Sequence, residues 1–140
     1  MRILYDTDVI MDFILKRGTF SDDAEKIIAF CVKENIESCI ASHTVPNLHY
    51  ILRKHLTKKQ RDDILLALCR MVTIVAVDAE KIISALQNTN FADFEDCLQV
   101  ECAKSFKVDY IITRNTKDFR ESDVPVIRPS EFIEQFLGGD

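Results

Sequence analysis

The chain has few residues that bend or loosen the backbone, and this limits the folds open to it. It contains three glycines, three prolines and no tryptophan among 140 residues. That scarcity leaves little room for linkers or for a turn-rich all-β fold. No low-complexity tract or internal repeat is visible in the sequence. The length suits one domain, and a hydrophobic fraction of 47% argues against disorder. We therefore expect residues 1–140 to form a single domain.

Several signatures of binding and targeting are also missing. Neither a G-x-G-x-x-G nor a G-x-x-x-x-G-K-[ST] loop occurs, which argues against dinucleotide and nucleoside triphosphate binding. The sequence shows no charged-then-apolar leader and no apolar run near the ~18 residues that span a membrane. We accordingly expect a cytoplasmic protein with no membrane partner.

The cysteines and histidines do not form metal or redox motifs. The five cysteines lack a C-x-x-C pair and lie in apolar segments, which is typical of buried reduced thiols. The three histidines lack zinc-ligand spacing, so we expect structural roles for them. The residues concerned are Cys31, Cys39, Cys69, Cys97, Cys102, His43, His49 and His55.

The net charge of −5 argues against a protein that coats nucleic acid without specificity. It leaves a nuclease open, because acids gathered at one metal site would carry part of that charge and a bound cation would offset it locally.

Strands and helices alternate along the chain, which indicates a parallel sheet covered on both faces. The predicted strands are Arg2–Tyr5, Ile36–Ala41, Val72–Val77, Asp109–Thr113 and Pro125–Ile127. The predicted helices are about Val9–Lys16, Asp22–Glu34 capped by Ser21, one starting at Ser42 or Thr44, Lys58–Arg70, one from Asp78 to Leu86, Asp93–Phe106, and one from Ser130 to Leu137. In such sheets ligands bind at the carboxyl ends of the strands.

Polar residues follow three of the predicted strands: Asp6-Thr7-Asp8, Ser42-His43-Thr44 and Thr113-Arg114-Asn115. Asp6 ends a buried strand and has no evident partner, which is costly for a carboxylate unless a cation compensates it. Asp8 is interpreted mainly as a helix N-cap, with a metal role in reserve. Asp12 is spaced for a surface ion pair with Lys16.

Further acids open the predicted sixth helix in Asp93-Phe94-Glu95-Asp96. Asp93 is explained by the helix dipole, whereas Asp96 lies at the entrance to a segment that is apolar on several sides. Hard oxygen ligands of this kind suit Mg²⁺ or Mn²⁺, and two such ions can activate water for phosphodiester cleavage.

Together these segments resemble the PIN-domain family, and the resemblance covers nearly the whole chain. Each segment alone is weakly specific, but their order and spacing make a specific set. The segments are Asp6-Thr7-Asp8-Val9-Ile10-Met11-Asp12, Asp93-Phe94-Glu95-Asp96-Cys97-Leu98, Ile112-Thr113-Arg114-Asn115-Thr116-Lys117-Asp118-Phe119 and Val126-Ile127-Arg128-Pro129-Ser130-Glu131-Phe132.

The resemblance implies a three-layer α/β/α sandwich around a parallel, five-stranded sheet. It also implies a Mg²⁺- or Mn²⁺-dependent endoribonuclease, the toxin of a VapC-type toxin–antitoxin pair, with an antitoxin partner and a homodimeric state. Asp6 and Asp96 match two central metal-binding acids of the family, and Thr7 and Thr113 match its supporting hydroxyls.

The chain departs from the common family pattern at two positions. Asn47 stands where the third helix usually carries glutamate, and Asn115 stands where the loop after the fourth strand usually carries aspartate. The assignment that results has four parts. It gives Asp6, Asp96 and Asp118 as catalytic residues; Asp6, Asp96, Asp93 and Asn115 as metal ligands; Thr7, Asn47 and Thr113 as supporting residues; and Arg17, Arg114 and Lys117 as contacts to substrate phosphate.

Two other functions stay open at this stage. The two asparagines bring no charge, so the chain is alternatively a non-catalytic PIN-fold module that binds RNA or protein. Asp6-Thr7-Asp8-Val9-Ile10 also resembles the D-x-D-x-[TV] motif of haloacid dehalogenase-type phosphatases, although the chain is short for that family and lacks a convincing lysine motif.

Overall fold

The computed structural model describes residues 1–138, and five strands form its centre. Their bounds are Arg2–Tyr5 (β1), Glu37–Ala41 (β2), Thr73–Val75 (β3), Tyr110–Ile112 (β4) and Val126–Ile127 (β5). All pairings are parallel, and the strand order is β3-β2-β1-β4-β5. The predicted five-stranded parallel sheet is therefore confirmed.

Within residues 1–138, seven α-helices and three shorter helical segments connect and cover these strands. The α-helices are Thr7–Leu15 (α1), Gly18–Lys33 (α2), Thr44–Ile51 (α3), Lys58–Met71 (α4), Ala79–Gln87 (α5), Phe94–Ser105 (α6) and Pro129–Phe132 (α7). The shorter segments are 3-10 turns at Leu52–Lys54 and Thr116–Phe119 and a π turn at Ile133–Leu137. No helix within residues 1–138 is long and apolar enough to cross a membrane.

Helices cover both faces of the sheet. Successive side chains of its central strand point to opposite faces, so they pack into two different cores. Ile3 and Tyr5 of β1 pack into a core with α1, α2 and α4, whereas Leu4 packs into a core with α6 and β4. The predicted three-layer α/β/α arrangement is thus confirmed. β1 lies between β2 and β4, so the residue that follows it emerges at the middle of the sheet edge.

Helix α1 begins earlier than predicted, and its cap is Asp6 rather than Asp8. The Asp6 backbone is extended (φ −68°, ψ 157°), and its carboxylate accepts a hydrogen bond from the Thr7 backbone N–H. Asp8 lies in the first turn of the helix, where its side chain is free to reach another element. The sequence pattern favoured Asp8 because the apolar spacing becomes regular only from Val9.

Helix α2 also starts before its predicted position. Lys16 ends α1 in the left-handed region (φ 53°), and α2 begins at Gly18, whose own φ of 57° suits glycine. Ser21, predicted as the cap, is instead buried inside the helix. The turn between the two helices is therefore only two residues long, Lys16 and Arg17.

The cysteines behave largely as predicted. All five thiols are free, four of them are buried, and Cys69 is partly exposed. Helix α6 is buried on several sides, as its apolar pattern indicated.

Candidate active site

A cavity of about 540 Å³ opens at the carboxyl edge of the sheet, where β1 and β4 end and α3 and α6 begin. Its wall carries acids, amides and one arginine, and these polar side chains are Asp6, Asp8, Arg17, Asn47, Glu95, Asp96, Gln99 and Asn115. The prediction that residues distant in sequence meet at one edge is borne out by this wall.

Asp6 is the most firmly held acid of the cavity. It is 6% exposed, and its Oδ1 accepts from the Thr7 backbone N–H at 2.7 Å. Its Oδ2 accepts from the Thr113 hydroxyl at 2.7 Å. The Asp6 backbone N–H also donates to the Ile112 carbonyl at 3.0 Å, which ties it to β4. Both predicted supporting hydroxyl residues, Thr7 and Thr113, thus lie beside Asp6.

Gln99 completes the surroundings of Asp6, and the sequence reasoning missed it. Its Nε2 lies 3.2 Å from Asp6 Oδ1 and 3.3 Å from the hydroxyls of Thr7 and Thr44. The side chain is 2% exposed, and its Oε1 has no hydrogen-bond partner. The signal was present: Gln99 is three residues after Asp96, on one helix face, within an otherwise apolar stretch.

Asp8 turns toward the loop after β4. Its Oδ2 accepts from the Arg114 backbone N–H at 3.1 Å and from Asn115 Nδ2 at 3.2 Å. Its Oδ1 is buried and has no hydrogen-bond donor. Burial raises the pKa of Asp8 to about 7, the negative charge of Asp6 adds to the rise, and Arg114 opposes it. Asp8 therefore joins α1 to the site loop instead of capping the helix.

Asp96 faces a field of negative charge. Burial raises its pKa to about 7, and the charges of Asp93, Asp6, Asp118 and Glu95 add to the rise in that order. Every principal cause raises the pKa, and no cation is among them. The predicted acids of α1, α6 and the loop after β4 therefore lie within electrostatic reach of each other.

The same charges act on Asp6. Burial raises the pKa of Asp6, the hydrogen bonds from Thr113 and Thr7 lower it, and Asp118 and Asp93 raise it again. Asp93 is the N-cap of α6, where its carboxylate accepts from the Asp96 backbone N–H at 2.9 Å. Asp118 is exposed in the 3-10 turn that follows β4.

The two asparagines lie in the cavity wall and are paired with acids. Asn47 Nδ2 donates to Glu95 Oε2 at 3.3 Å, and Asn115 Nδ2 donates to Asp8 as described above. Each side-chain oxygen stays available as a neutral ligand, so the substitutions remove charge but keep oxygen donors near the acids.

Arg114 and Asp12 form a buried pair that the sequence did not reveal. The Arg114 guanidinium donates to both Asp12 oxygens, at 2.6 Å from Nε and 3.2 Å from Nη2, and Asp12 is 1% exposed. The predicted surface pair of Asp12 with Lys16 is therefore wrong. Arg114 also stacks on Phe20, with its Cζ 4.2 Å from the ring centroid.

The remaining predicted cations differ in position. Arg17 lies in the cavity wall, whereas Lys117 is an exposed residue of the 3-10 turn outside that wall. His43 also lines the cavity; its pKa is lowered by burial and raised in part by Glu95, so the ring stays neutral. His49 instead pairs with Asp62 at 2.8 Å.

The donor set fits a hard divalent cation, although it is not a closed cage. Within residues 1–138 no group of three or more His, Cys, Asp or Glu side chains is arranged to hold an ion. Mg²⁺, however, usually takes only one or two carboxylates and keeps several waters. Asp6 and Asp96 are two carboxylates in the cavity wall, and the buried Asp8 Oδ1 and Gln99 Oε1 lack hydrogen-bond donors.

The family model described as PIN domain matches residues 2–117. The chain belongs to the PIN domain family. The matched segment carries every predicted site residue of this PIN domain except Asp118. No curated protein matches it significantly.

Solved structures agree with that membership at the level of the fold. VapBC-1 from nontypeable Haemophilus influenzae is similar with a TM-score of 0.71 and 19% identity, covering 93% of this chain and 99% of that one. VapBC2 from Rickettsia felis, bound to a DNA fragment from its promoter, is similar with a TM-score of 0.70 and 18% identity. The match covers 91% of this chain and 98% of that one. FitAcB from Neisseria gonorrhoeae is similar with a TM-score of 0.70 and 20% identity, and the match covers 91% of this chain and 98% of that one.

Proposed function

We propose that this PIN domain is an endoribonuclease that depends on Mg²⁺ or Mn²⁺. The observation that supports it most is the surroundings of Asp96, where the largest influences on its pKa are burial and the charges of four acids, all of which raise it. A site built this way stabilises a bound divalent cation, because the cation relieves the repulsion among the acids.

Each acid has a distinct place in the proposal. Asp6 and Asp96 would hold the metal, with Asp93 and Asn115 as further ligands, and a bound ion would supply an activated water and stabilise the leaving oxygen. Asp118 is a third acid from the loop after β4 and orients the attacking water. Thr7, Thr113 and Asn47 fix the acids through hydrogen bonds.

The cations have a separate role in binding the substrate. Arg17 in the cavity wall and Lys117 in the exposed 3-10 turn contact substrate phosphate in this proposal. Arg114 contributes in a more limited way, because its guanidinium is held by Asp12 and only its remaining N–H groups are free for a phosphate.

Cleavage of single-stranded RNA in Mn²⁺ tests the proposal. We expect wild type to cut, and Asp6→Asn and Asp96→Asn to lose at least about a hundredfold in rate, since each removes a charge from the metal site. Asp123→Asn is the matched control, because Asp123 is an exposed acid paired with Lys104 at 3.6 Å. Equal cutting by wild type and Asp6→Asn would refute the proposal.

A non-catalytic module that binds RNA or protein is the second candidate. The pairing of Asn47 with Glu95 and of Asn115 with Asp8 favours it, since each amide donates a hydrogen bond to an acid of the cavity in the absence of any metal. RNA binding without metal-dependent cleavage would decide for this module. Hydrolysis of small phosphomonoesters tests the phosphatase hypothesis in the same preparation, and PIN-family membership argues against it.

We further propose that this PIN domain is the toxin of a toxin–antitoxin pair, and that it forms a homodimer and binds an antitoxin. The similarity to VapBC and FitAcB structures supports this. We expect expression of the wild-type protein to arrest growth of a bacterial host. Co-expression of the product of an adjacent reading frame should relieve the arrest, and Asp6→Asn should not cause it. Light scattering of the purified protein gives the dimer directly.

A further inference from the structure

A second cavity, of about 310 Å³, adjoins the candidate active site. Its wall is formed by the first turns of α2, by Arg114 and by the start of α7. We call it the Phe20 pocket and define it by Phe20, Asp23, Arg114 and Arg128. Its volume is at the lower end of the range that small ligands occupy in proteins.

The Phe20 pocket and the active-site cavity are lined by residues that are neighbours in the chain and in hydrogen bonding. The Arg114 backbone N–H donates to Asp8 in the active site, while the Arg114 side chain lines the Phe20 pocket. Arg17 lines the active-site cavity, and Thr19, two residues later, lines the Phe20 pocket. The path from the acids to the Phe20 pocket therefore runs along Arg114 and the residues between Arg17 and Thr19.

The surface chemistry of the pocket suits a nucleotide. Phe20 is 48% exposed although Arg114 stacks on its ring, so an aromatic and guanidinium platform faces solvent. Bases of single-stranded RNA stack on platforms of this kind. The Phe20 ring belongs to neither of the two large cores, so its exposed part is available to a base beside the Arg114 guanidinium.

The charges of the pocket complete the match. Arg128 is exposed and forms no ion pair within residues 1–138, so its guanidinium is available to a phosphate. Asp23 is partly exposed on the same wall and offers an acceptor to an amino group of a base.

We infer that the Phe20 pocket binds one unpaired nucleotide of the RNA substrate, next to the bond that is cut. The base stacks on Phe20, and the adjoining phosphate contacts Arg128. The inference rests on the proposed ribonuclease function, since that function supplies the RNA. A peptide of a partner protein is the competing occupant of the pocket.

Binding of labelled RNA tests nucleotide binding in the Phe20 pocket separately from RNA cleavage at the acids. The protein carries Asp6→Asn, so the RNA stays intact, and single abasic sites are moved along an unstructured oligonucleotide. We expect one abasic position to weaken binding about 5- to 150-fold, the value of one stacked base. In the Asp6→Asn/Phe20→Ala protein, that position should have no further effect.

Arg128→Ala tests the phosphate contact. It should reduce the slope of log affinity against log salt concentration by about 0.7, the value for one phosphate of a single strand. Arg70→Ala is the matched control, because Arg70 is an exposed arginine at the end of α4, which leads into the opposite edge of the sheet. Its slope should stay unchanged.

Two results would overturn the inference. One is an abasic effect that persists at full size in Phe20→Ala; the other is RNA affinity that neither Phe20→Ala nor Arg128→Ala changes, which would leave the pocket to a protein partner. Cleavage by the protein with Asp6 intact is measured separately. Failure to cleave, with the abasic effect present, counts against the ribonuclease function and not against the nucleotide pocket.

Discussion

Replacing Asp96 with asparagine should make the metal-free PIN domain more stable. The folded state holds the Asp96 carboxylate in a site that raises its pKa from 3.8 to about 7. At about pH 8 the carboxylate is ionised in both folded and unfolded states, so the folded state carries the cost of the charge. Asparagine keeps the shape and removes that cost.

The structure sets the size of the effect. A rise of about three pKa units corresponds to about 4 kcal/mol, since each unit is about 1.36 kcal/mol. Asp96 is partly exposed, and water screens the charges of its neighbours, so we reduce the expected gain to about 1–2 kcal/mol. For a chain of this size, that corresponds to about 3–7 °C in Tm.

The sign of the pH dependence follows from the raised pKa. Between the unfolded pKa and the folded pKa the folded state binds more protons, so wild-type stability falls as pH rises from about 4 to about 7. The advantage of Asp96→Asn should therefore shrink below about 0.5 kcal/mol near pH 4.5. Asp123→Asn, an exposed site, should show no comparable change.

Urea unfolding followed by circular dichroism, with chelator present, measures these differences. Added Mn²⁺ should then stabilise wild type near pH 8 and leave Asp96→Asn little changed, because binding to the folded state alone raises its stability. An Asp96→Asn protein that is less stable than wild type near pH 8 would refute this prediction. A change in stability that is equal near pH 8 and near pH 4.5 would also refute it, because the ionised Asp96 would then not destabilise the folded state.

Three further substitutions test other contacts. Asp12→Asn should lower the free energy of unfolding by about 3 kcal/mol in urea titrations, because it leaves the partly buried Arg114 charge without its partner; a loss under about 1 kcal/mol would contradict a buried pair. Gln99→Met should cost about 1–2 kcal/mol by the same method, as it removes the donor beside Asp6, and it should also lower the RNA cleavage rate. Tyr5→Phe should raise the free energy of unfolding by up to about 1 kcal/mol, since the Tyr5 hydroxyl is buried without a hydrogen-bond partner and its removal relieves that cost; a loss of stability in calorimetry would reveal a partner.

The order of elements and the sheet edge could be predicted because both depend on local patterns. Strand and helix periodicity, together with acids at strand ends, is enough to bring Asp6, Asp96 and Asn115 to one edge. The cap of α1 was assigned wrongly because either Asp6 or Asp8 suits the position by residue type. The backbone geometry decides between them, and the spacing of apolar residues in the sequence does not reveal that geometry.

Contacts across the fold could not be read from the sequence. The pair of Asp12 with Arg114 joins residues 102 positions apart, and the hydrogen bond from Gln99 to Asp6 spans 93. Nothing local distinguishes either pair from a surface charge or a core amide. The packing of α6 against β1 determines the contact of Gln99 with Asp6. The path of the loop after β4 determines the pair of Asp12 with Arg114.

The attachment of Asp6 to the sheet has a consequence for how the site opens. Its backbone N–H is bonded to β4 at the centre of the sheet, so hydrogen exchange there should require unfolding on the largest scale. Asp96 instead lies in the first turn of α6, where a helix end can fray alone. The two proposed metal ligands therefore belong to regions that we expect to open on different timescales. Loading the metal should slow amide exchange at the start of α6 far more than at β1.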